Sequence, residues 1–251
     1  MAHDAETAPG APVTGDSELQ SFTLESLATA VNYHRWLTDL VEPYLGDAPV
    51  ELGSGLGDYA STWAGARPGR HVTVTDADPS RDAHLRRRFA GDPRISVRTL
   101  DVAHPYRGDH SCLVAMNVLE HIEDHVAALA AAHSVLRPGG FVVMFVPAFE
   151  LAMSRFDRQV GHVRRYTVPT LRAAYAAAGL EVGRVHYVNA PGLLAWVAGM
   201  RLLRMTPQDG PTVRLWDRAV VPVARAVESR VRPPFGQSVF AVGRVPVQRR
   251  G

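Results

Sequence analysis

The sequence contains no lysine: all 27 of its basic residues are arginine. That absence excludes every chemistry that needs an ε-amine, including a pyridoxal Schiff base, a phosphate-loop lysine and a lysine general base. Cysteine is almost as scarce, and the single Cys112 cannot close an internal disulfide, complete a thiolate zinc site or hold an iron–sulfur cluster. No apolar run approaches the roughly 20 residues of a membrane-spanning helix. The longest covers 190–200 and is followed by Arg201 and Arg204. Residues 1–20 have neither the basic start nor the apolar centre of a secretion signal and are rich in Ala, Pro, Gly, Thr and acids. A disordered tail over 1–20 and a cytoplasmic location are therefore expected.

What is present has the balance of a globular protein, with 46% hydrophobic and 21% charged residues in a chain of 251. One domain over 21–251 is expected, without an internal repeat or an inter-domain linker. The net charge is +2, yet residues 201–251 hold ten arginines against only Asp209, Asp217 and Glu228. With no interleaved aromatics and no nucleic-acid motif, this reads as a solvated arginine surface; neither a nucleic acid nor a membrane surface is its expected partner.

Strands and helices alternate along the chain. Short apolar or β-branched runs predict strands at 49–52, 71–75, 95–100, 112–116 and 141–146. Helical patterns follow at 58–66, from Asp78-Pro79 to about Ala90, and up to about Leu136, where Arg137-Pro138-Gly139-Gly140 is expected to break the helix. The 141–146 run is apolar on both faces, as a central parallel strand should be. A polar and aromatic segment at 147–170 reads as a lid, followed by a helix at 167–178 and a strand at 180–188. Two helical stretches, 191–204 and 212–231, make a helical insertion at 190–232 before a final strand at 237–243. This alternation predicts an α/β fold with a doubly wound, mostly parallel sheet.

The first strand ends in Glu51-x-Gly53-x-Gly55-x-Gly57. Glycines at such a turn let the backbone approach a ligand, but the spacing is not that of a dinucleotide fingerprint, and a carboxylate before the first glycine suits an ammonium better than a pyrophosphate. Asp76 ends the second strand, where a carboxylate can hold ribose hydroxyls, and Asp101 ends the third. Three acids at three strand ends favour a cationic nucleoside.

With ELGSGLG (51–57), VTVTDADP (72–79), LDVA (100–103), NVLEHIED (117–124) and LRPGG (136–140), the chain resembles the class I S-adenosylmethionine (SAM)-dependent methyltransferases over about residues 30–245. The resemblance implies a Rossmann-like, seven-stranded sheet whose last strand is antiparallel, with SAM as cofactor and S-adenosylhomocysteine as product. It also implies that Glu51, Gly53, Ser54, Gly55 and Gly57 face the methionine part and Asp76 with Ala77 the ribose. Asp101 with Val102 would meet the adenine, and Asn117 would sit near the transferred methyl. Tyr33, in an amphipathic segment at 32–37, would cover the cofactor. The segment 161–180 is similar to a subgroup whose lid carries a His and an Arg-Arg-Tyr run.

The acceptor is expected to be a small molecule, acidic or partly apolar, with oxygen slightly favoured over nitrogen or carbon in a specialised metabolite or lipid. An NAD-dependent dehydrogenase and a non-catalytic nucleoside-binding module are the alternatives. His162 and His121 are the candidates for a general base, since histidine titrates near neutral pH, and Tyr166 is grouped with them as catalytic. Glu120 and His121 border the crevice, while Arg164, Arg165 and Tyr166 form a group suited to a substrate carboxylate or phosphate. His121 and His125 lie four apart, but the H-E-x-x-H pattern is absent and no metal is expected. A monomer or homodimer is expected.

Overall fold

The computed structural model describes residues 15–16, 19–20, 29–202 and 211–247. A helix α1 (Val31–Leu45) precedes two strand–helix units, β1 (Pro49–Leu52) with α2 (Asp58–Ala66) and β2 (Val72–Thr75) with α3 (Pro79–Arg88), and then β3 (Ile95–Val97). Next come β4 (His110–Met116), a 3₁₀ turn (Leu119–His121), two short helices α4 (His125–Ala130) and α5 (Ala132–Val135), and β5 (Leu136–Pro147). The lid segment contains a second 3₁₀ turn (Glu150–Ala152) and α6 (Arg155–Gln159). The chain then runs through α7 (Val168–Ala177), β6 (Glu181–Val188), α8 (Ala190–Trp196), a π turn (Val197–Leu202), α9 (Pro211–Glu228) and β7 (Ser238–Arg244).

The strands form one seven-stranded sheet in the order β3-β2-β1-β4-β5-β7-β6. Pairings up to β5 are parallel, whereas β7 runs antiparallel to both β5 and β6. β1 and β2 are buried along their whole length, which explains why they read as continuous apolar or β-branched runs. One face packs Leu113, Val142 and Met144 against Leu129, Leu171 and Tyr175; the other packs Val114, Val143 and Phe145 with Trp36, Leu37, Trp63 and Leu85. The order reverses beside β1 and β4, and open α/β sheets place their ligand crevice at such a switch point.

Several boundaries differ from expectation. The helix does end at Val135, just before Arg137-Pro138-Gly139-Gly140, but the strand expected at 141–146 already begins at Leu136 and takes in these residues, with the register against β4 shifting between His110 and Cys112 and Gly139 at a φ of 78°. The β-bulge absorbs the residues that otherwise signal a break. Similarly, the helix foreseen up to Leu136 is divided into the 3₁₀ turn, α4 and α5, with Asp124 capping α4 through a bond from the Ala127 N–H (2.9 Å). β3 stops at Val97, and the 191–204 helix changes to π geometry at Val197. Part of the expected tail is placed against the lid: the Asp16 N–H donates to Gln159 O (2.9 Å), and Gln20 Nε2 donates to Val160 O (2.7 Å). The rest of 1–20 lies outside the described residues. Among those described, no helix is long and apolar enough to cross a membrane.

The 190–232 segment is fixed by two carboxylates. Asp217 on α9, buried, accepts the first backbone N–H groups of α1, from Asn32 (3.0 Å) and Tyr33 (2.9 Å). Glu228 accepts those of Asn189 (2.8 Å) and Ala190 (2.9 Å) at the start of α8. At α1, whose Ala30 cap offers no side-chain acceptor, Asp217 supplies the missing one, and at α8 Glu228 adds to the cap that the Asn189 side chain already provides. Asp217→Ala is expected to lower stability by about 1–2 kcal/mol and Tm by about 2–8 °C, and Asp217→Asn, which keeps one acceptor, by less. An unchanged Tm in thermal unfolding of both variants would show that α1 does not depend on this contact.

Candidate active site

The turn from β1 into α2 carries three glycines at positive φ: Gly53 (66°), Gly55 (57°) and Gly57 (85°). It is held down by the Ser54 N–H donating to Thr75 O (2.7 Å) and the Gly55 N–H donating to Asp76 Oδ2 (2.9 Å). A Cβ on Gly53 would lie 2.6 Å from Val118 Cγ2, so this glycine lets the turn close against the segment after β4. At Gly57 a Cβ would instead meet Phe89 and Leu85, which makes that glycine a packing requirement between α2 and α3.

Behind the turn stands Glu51, 1% exposed, whose Oε2 has no hydrogen-bond partner among the described residues. Burial pushes its carboxyl up to about 8, and the neighbouring charges of Asp76 and Asp58 add to the rise. Asp76 is fully engaged: Oδ1 accepts from the Asp78 N–H (2.9 Å) and Arg81 Nε (3.0 Å), and Oδ2 from Gly55. Ala77 beside it is exposed. Asp101 and Val102 are half-buried after β3, where the Ala103 N–H and the His104 ring hold the Asp101 carboxyl below its usual range. Asn117 leaves β4 at a φ of 55° with an exposed side chain, and its N–H donates to Phe145 O (2.8 Å). From α1, Tyr33 packs edge-on to Trp36 at 6.3 Å, and burial raises its hydroxyl to about 12 against the opposing effect of bonds with Asn189 and Ser238. Tyr59, which the sequence did not single out, is half-buried near Glu51 and Tyr33 and stacks on His34 (4.3 Å).

A second group forms where the lid meets the 3₁₀ turn after β4. Glu120 is completely buried, and neither carboxylate oxygen has a hydrogen-bond partner among the described residues. Burial pushes it up to about 7, opposed chiefly by the nearby His162. His162 Nε2 lies 3.8 Å from Glu120 Oε1, and its Nδ1 is 2.8 Å from Asp157 Oδ1. The His121 ring stands edge-on to that of His162 at 4.7 Å, and burial lowers His121 to about 4. His125 does not join His121: its Nδ1 is 2.9 Å from Tyr166 Oη.

Asp157, also absent from the sequence reading, organises this group. It closes a capping box on Ser154 and accepts Arg165 Nη2 (2.8 Å). Burial alone would raise its carboxyl, but the bonds from His162 and Ser154 and the Arg165 charge hold it well below the usual range. The Ser-x-x-Asp spacing of 154–157 was the available signal.

The arginine expectations need correction. The Arg165 side chain is 2% exposed, and its guanidinium is engaged by Asp157 and Ala148 O and packed over the Trp196 ring at 5.0 Å. Arg164 donates to Ile122 O and Glu123 O, while Tyr166, 1% exposed, donates to Leu119 O (3.3 Å). Arg164 and Tyr166 thus fasten the lid to the 119–123 segment, while Arg165 ties it to Asp157 and to Ala148 at the end of β5.

Residues 50–142 match the model of a methyltransferase domain. The chain is 33% identical over 151 residues to an uncharacterized 37.1 kDa transposon protein of Streptomyces fradiae, covering 57% of this chain and spanning 43% of that relative. It is 26% identical over 212 residues to an uncharacterized methyltransferase of Mycobacterium tuberculosis, covering 81% of each. Among solved structures, geranyl diphosphate methyltransferase in complex with SAM aligns at a TM-score of 0.58 and 16% identity over 83% of this chain and 84% of that one. The protein complexed with the Haloferax volcanii Trm112 methyltransferase activator aligns at 0.63 and 15% identity over 94% and 100%. The glycine turn and the acids Glu51, Asp76 and Asp101 all lie within the matched methyltransferase domain.

Proposed function

We propose that this methyltransferase moves the methyl group of SAM to an oxygen of a small-molecule acceptor and releases S-adenosylhomocysteine. The observation that carries the cofactor assignment is the buried, partnerless Oε2 of Glu51, reinforced by Asp58 and Asp76. An acidic pocket that raises its own carboxyl is matched to a ligand bringing positive charge, which fits the ammonium and sulfonium of SAM and repels a pyrophosphate. When bound, SAM supplies an electrophilic methyl carbon.

In this reading Glu51 takes the ammonium, and Gly53, Ser54, Gly55 and Gly57 shape the floor against the methionine part. Asp76, with Ala77 alongside, receives the ribose hydroxyls, for which its Arg81 bond must be shared or exchanged. Asp101 and Val102 flank the adenine, Asn117 stands next to the methyl, and Tyr33 covers the site from α1. The acceptor enters beside Glu120, His121 and His162. Two imidazoles and a carboxylate converging there form a polar set that meets a hydroxyl better than an aliphatic carbon, which supports oxygen as the acceptor atom. With transfer an in-line displacement, positioning between the two groups supplies much of the catalysis.

Asp76→Ala is expected to weaken SAM binding by about 2–3 kcal/mol. Arg81→Gln, which frees one oxygen of Asp76, should leave binding unchanged or tighten it. Equal affinity of Asp76→Ala and the unaltered protein in calorimetry would remove Asp76 from the cofactor site.

Glu51 generates a pH prediction of opposite sign for stability and binding. Its folded value of about 8 lies above the ordinary carboxyl value of 4.5, so its contribution to stability is complete below 4.5 and is lost as pH rises through 8. Glu51→Gln should therefore raise Tm of the free protein near pH 9, change it little near pH 4.5, and weaken SAM binding at both. A Tm gain of the same size at both pH values would contradict the buried titration.

A further inference from the structure

One ligand atom from each of Glu120, His121 and His162 lies within 4.8 Å of the other two. The residues come from separate parts of the chain, the 3₁₀ turn after β4 and the lid after α6, and are brought together by the lid's backbone bond from the Val163 N–H to Glu120 O (3.0 Å). We propose that these three side chains bind a divalent transition-metal cation at the acceptor end of the crevice, leaving open positions for an acceptor oxygen.

Three observations support the site. First, a carboxylate buried without any donor is costly unless a positive charge compensates it. Glu120 has no donor on either oxygen among the described residues, and Arg165, whose charge acts on it, is hydrogen-bonded to Asp157 and not to Glu120. Second, His162 is oriented as a metal-bound histidine is. Its Nδ1 lies 2.8 Å from the Asp157 carboxylate, which can only accept there, and its Nε2 faces Glu120 Oε1 at 3.8 Å, too far for a hydrogen bond. Asp157 is itself held by Ser154 and Arg165, so the outer support of that ligand is already built. Third, two imidazoles and one carboxylate form the donor set favoured by Mn²⁺, Fe²⁺, Co²⁺ or Zn²⁺, with part of the coordination shell free. The adjacent His121–His125 spacing visible in the sequence does not make this site, because His125 is bound to Tyr166.

The cation deepens the proposed function by selecting the acceptor class: a hydroxyl, or two neighbouring hydroxyls, able to coordinate it. Coordination would acidify the hydroxyl, whose proton leaves to solvent. The oxygen's electron pair then forms the new C–O bond, and the pair of the broken C–S bond stays on sulfur.

The test uses the full chain, stripped with a chelator and dialysed free of it, and titrated with Mn²⁺ and with Zn²⁺ by calorimetry, with the Mn²⁺ spin-resonance signal followed in parallel. One cation per chain is expected, together with a rise in Tm on binding. Glu120→Gln, His121→Ala and His162→Ala should each weaken binding by at least about tenfold. Asp157→Asn should weaken it less, and His84→Ala, away from the cluster, should not change it. SAM affinity measured without metal shows whether each variant is folded and tests the cofactor reading separately. Absence of stoichiometric binding, or binding that survives all three substitutions, would overturn the site. A metal-loaded enzyme that methylates only amines would instead overturn the oxygen acceptor and leave the site standing.

Discussion

The carboxylate of Glu51, at the end of a strand buried on both faces, sets the terms for the half of the crevice formed by β1 and β2. Next to it the backbone turns through three positive-φ glycines, and within the same turn Gly55 donates to Asp76. The result is a pocket whose charge is uncompensated by the protein. Holding Glu51 there disfavours its ionised form, which is why the group is tuned upward and not downward. Function and stability are opposed at this residue, as they often are where a site is pre-organised for a charged ligand.

The other half is organised by Asp157. This carboxylate caps the start of α6, binds Arg165 and bonds His162, so one acidic side chain links the lid's backbone to the His162 and Glu120 cluster. Arg164 and Tyr166 add bonds to Ile122, Glu123 and Leu119, and the lid becomes an integral wall. Around this wall, Asp217 and Glu228 hold the starts of α1 and α8 from α9, so that Tyr33 and Asn189 are positioned by a helix distant in sequence.

Much of the half formed by β1 and β2 was legible in the sequence because its signals are local. The glycine turn follows an apolar run within a few residues, and Asp76 directly follows β2, whereas Asp101 lies four residues beyond the end of β3. The half formed by the lid and the turn after β4 was less legible because its contacts are long-range. Arg165 reads as an exposed cation until Asp157, eight residues earlier, is seen to neutralise it. His121 and His125 share a spacing that suggests partnership, but the chain leaves helical geometry between them, and the partner of His121 is His162. The Pro-Gly-Gly run marks the end of the helix at Val135, but it hides the early start of β5 at Leu136, because a β-bulge tolerates the same residues as a loop.

The most direct test of the central claim is calorimetric titration of SAM in two buffers of different ionisation enthalpy near pH 6.5, comparing the unaltered protein with Glu51→Gln. Because Glu51 is protonated below about 8 in the free protein and must ionise to receive an ammonium, binding should release about one proton, and the variant should release none. Binding without proton release in the unaltered protein, or with the same release in Glu51→Gln, would contradict the account.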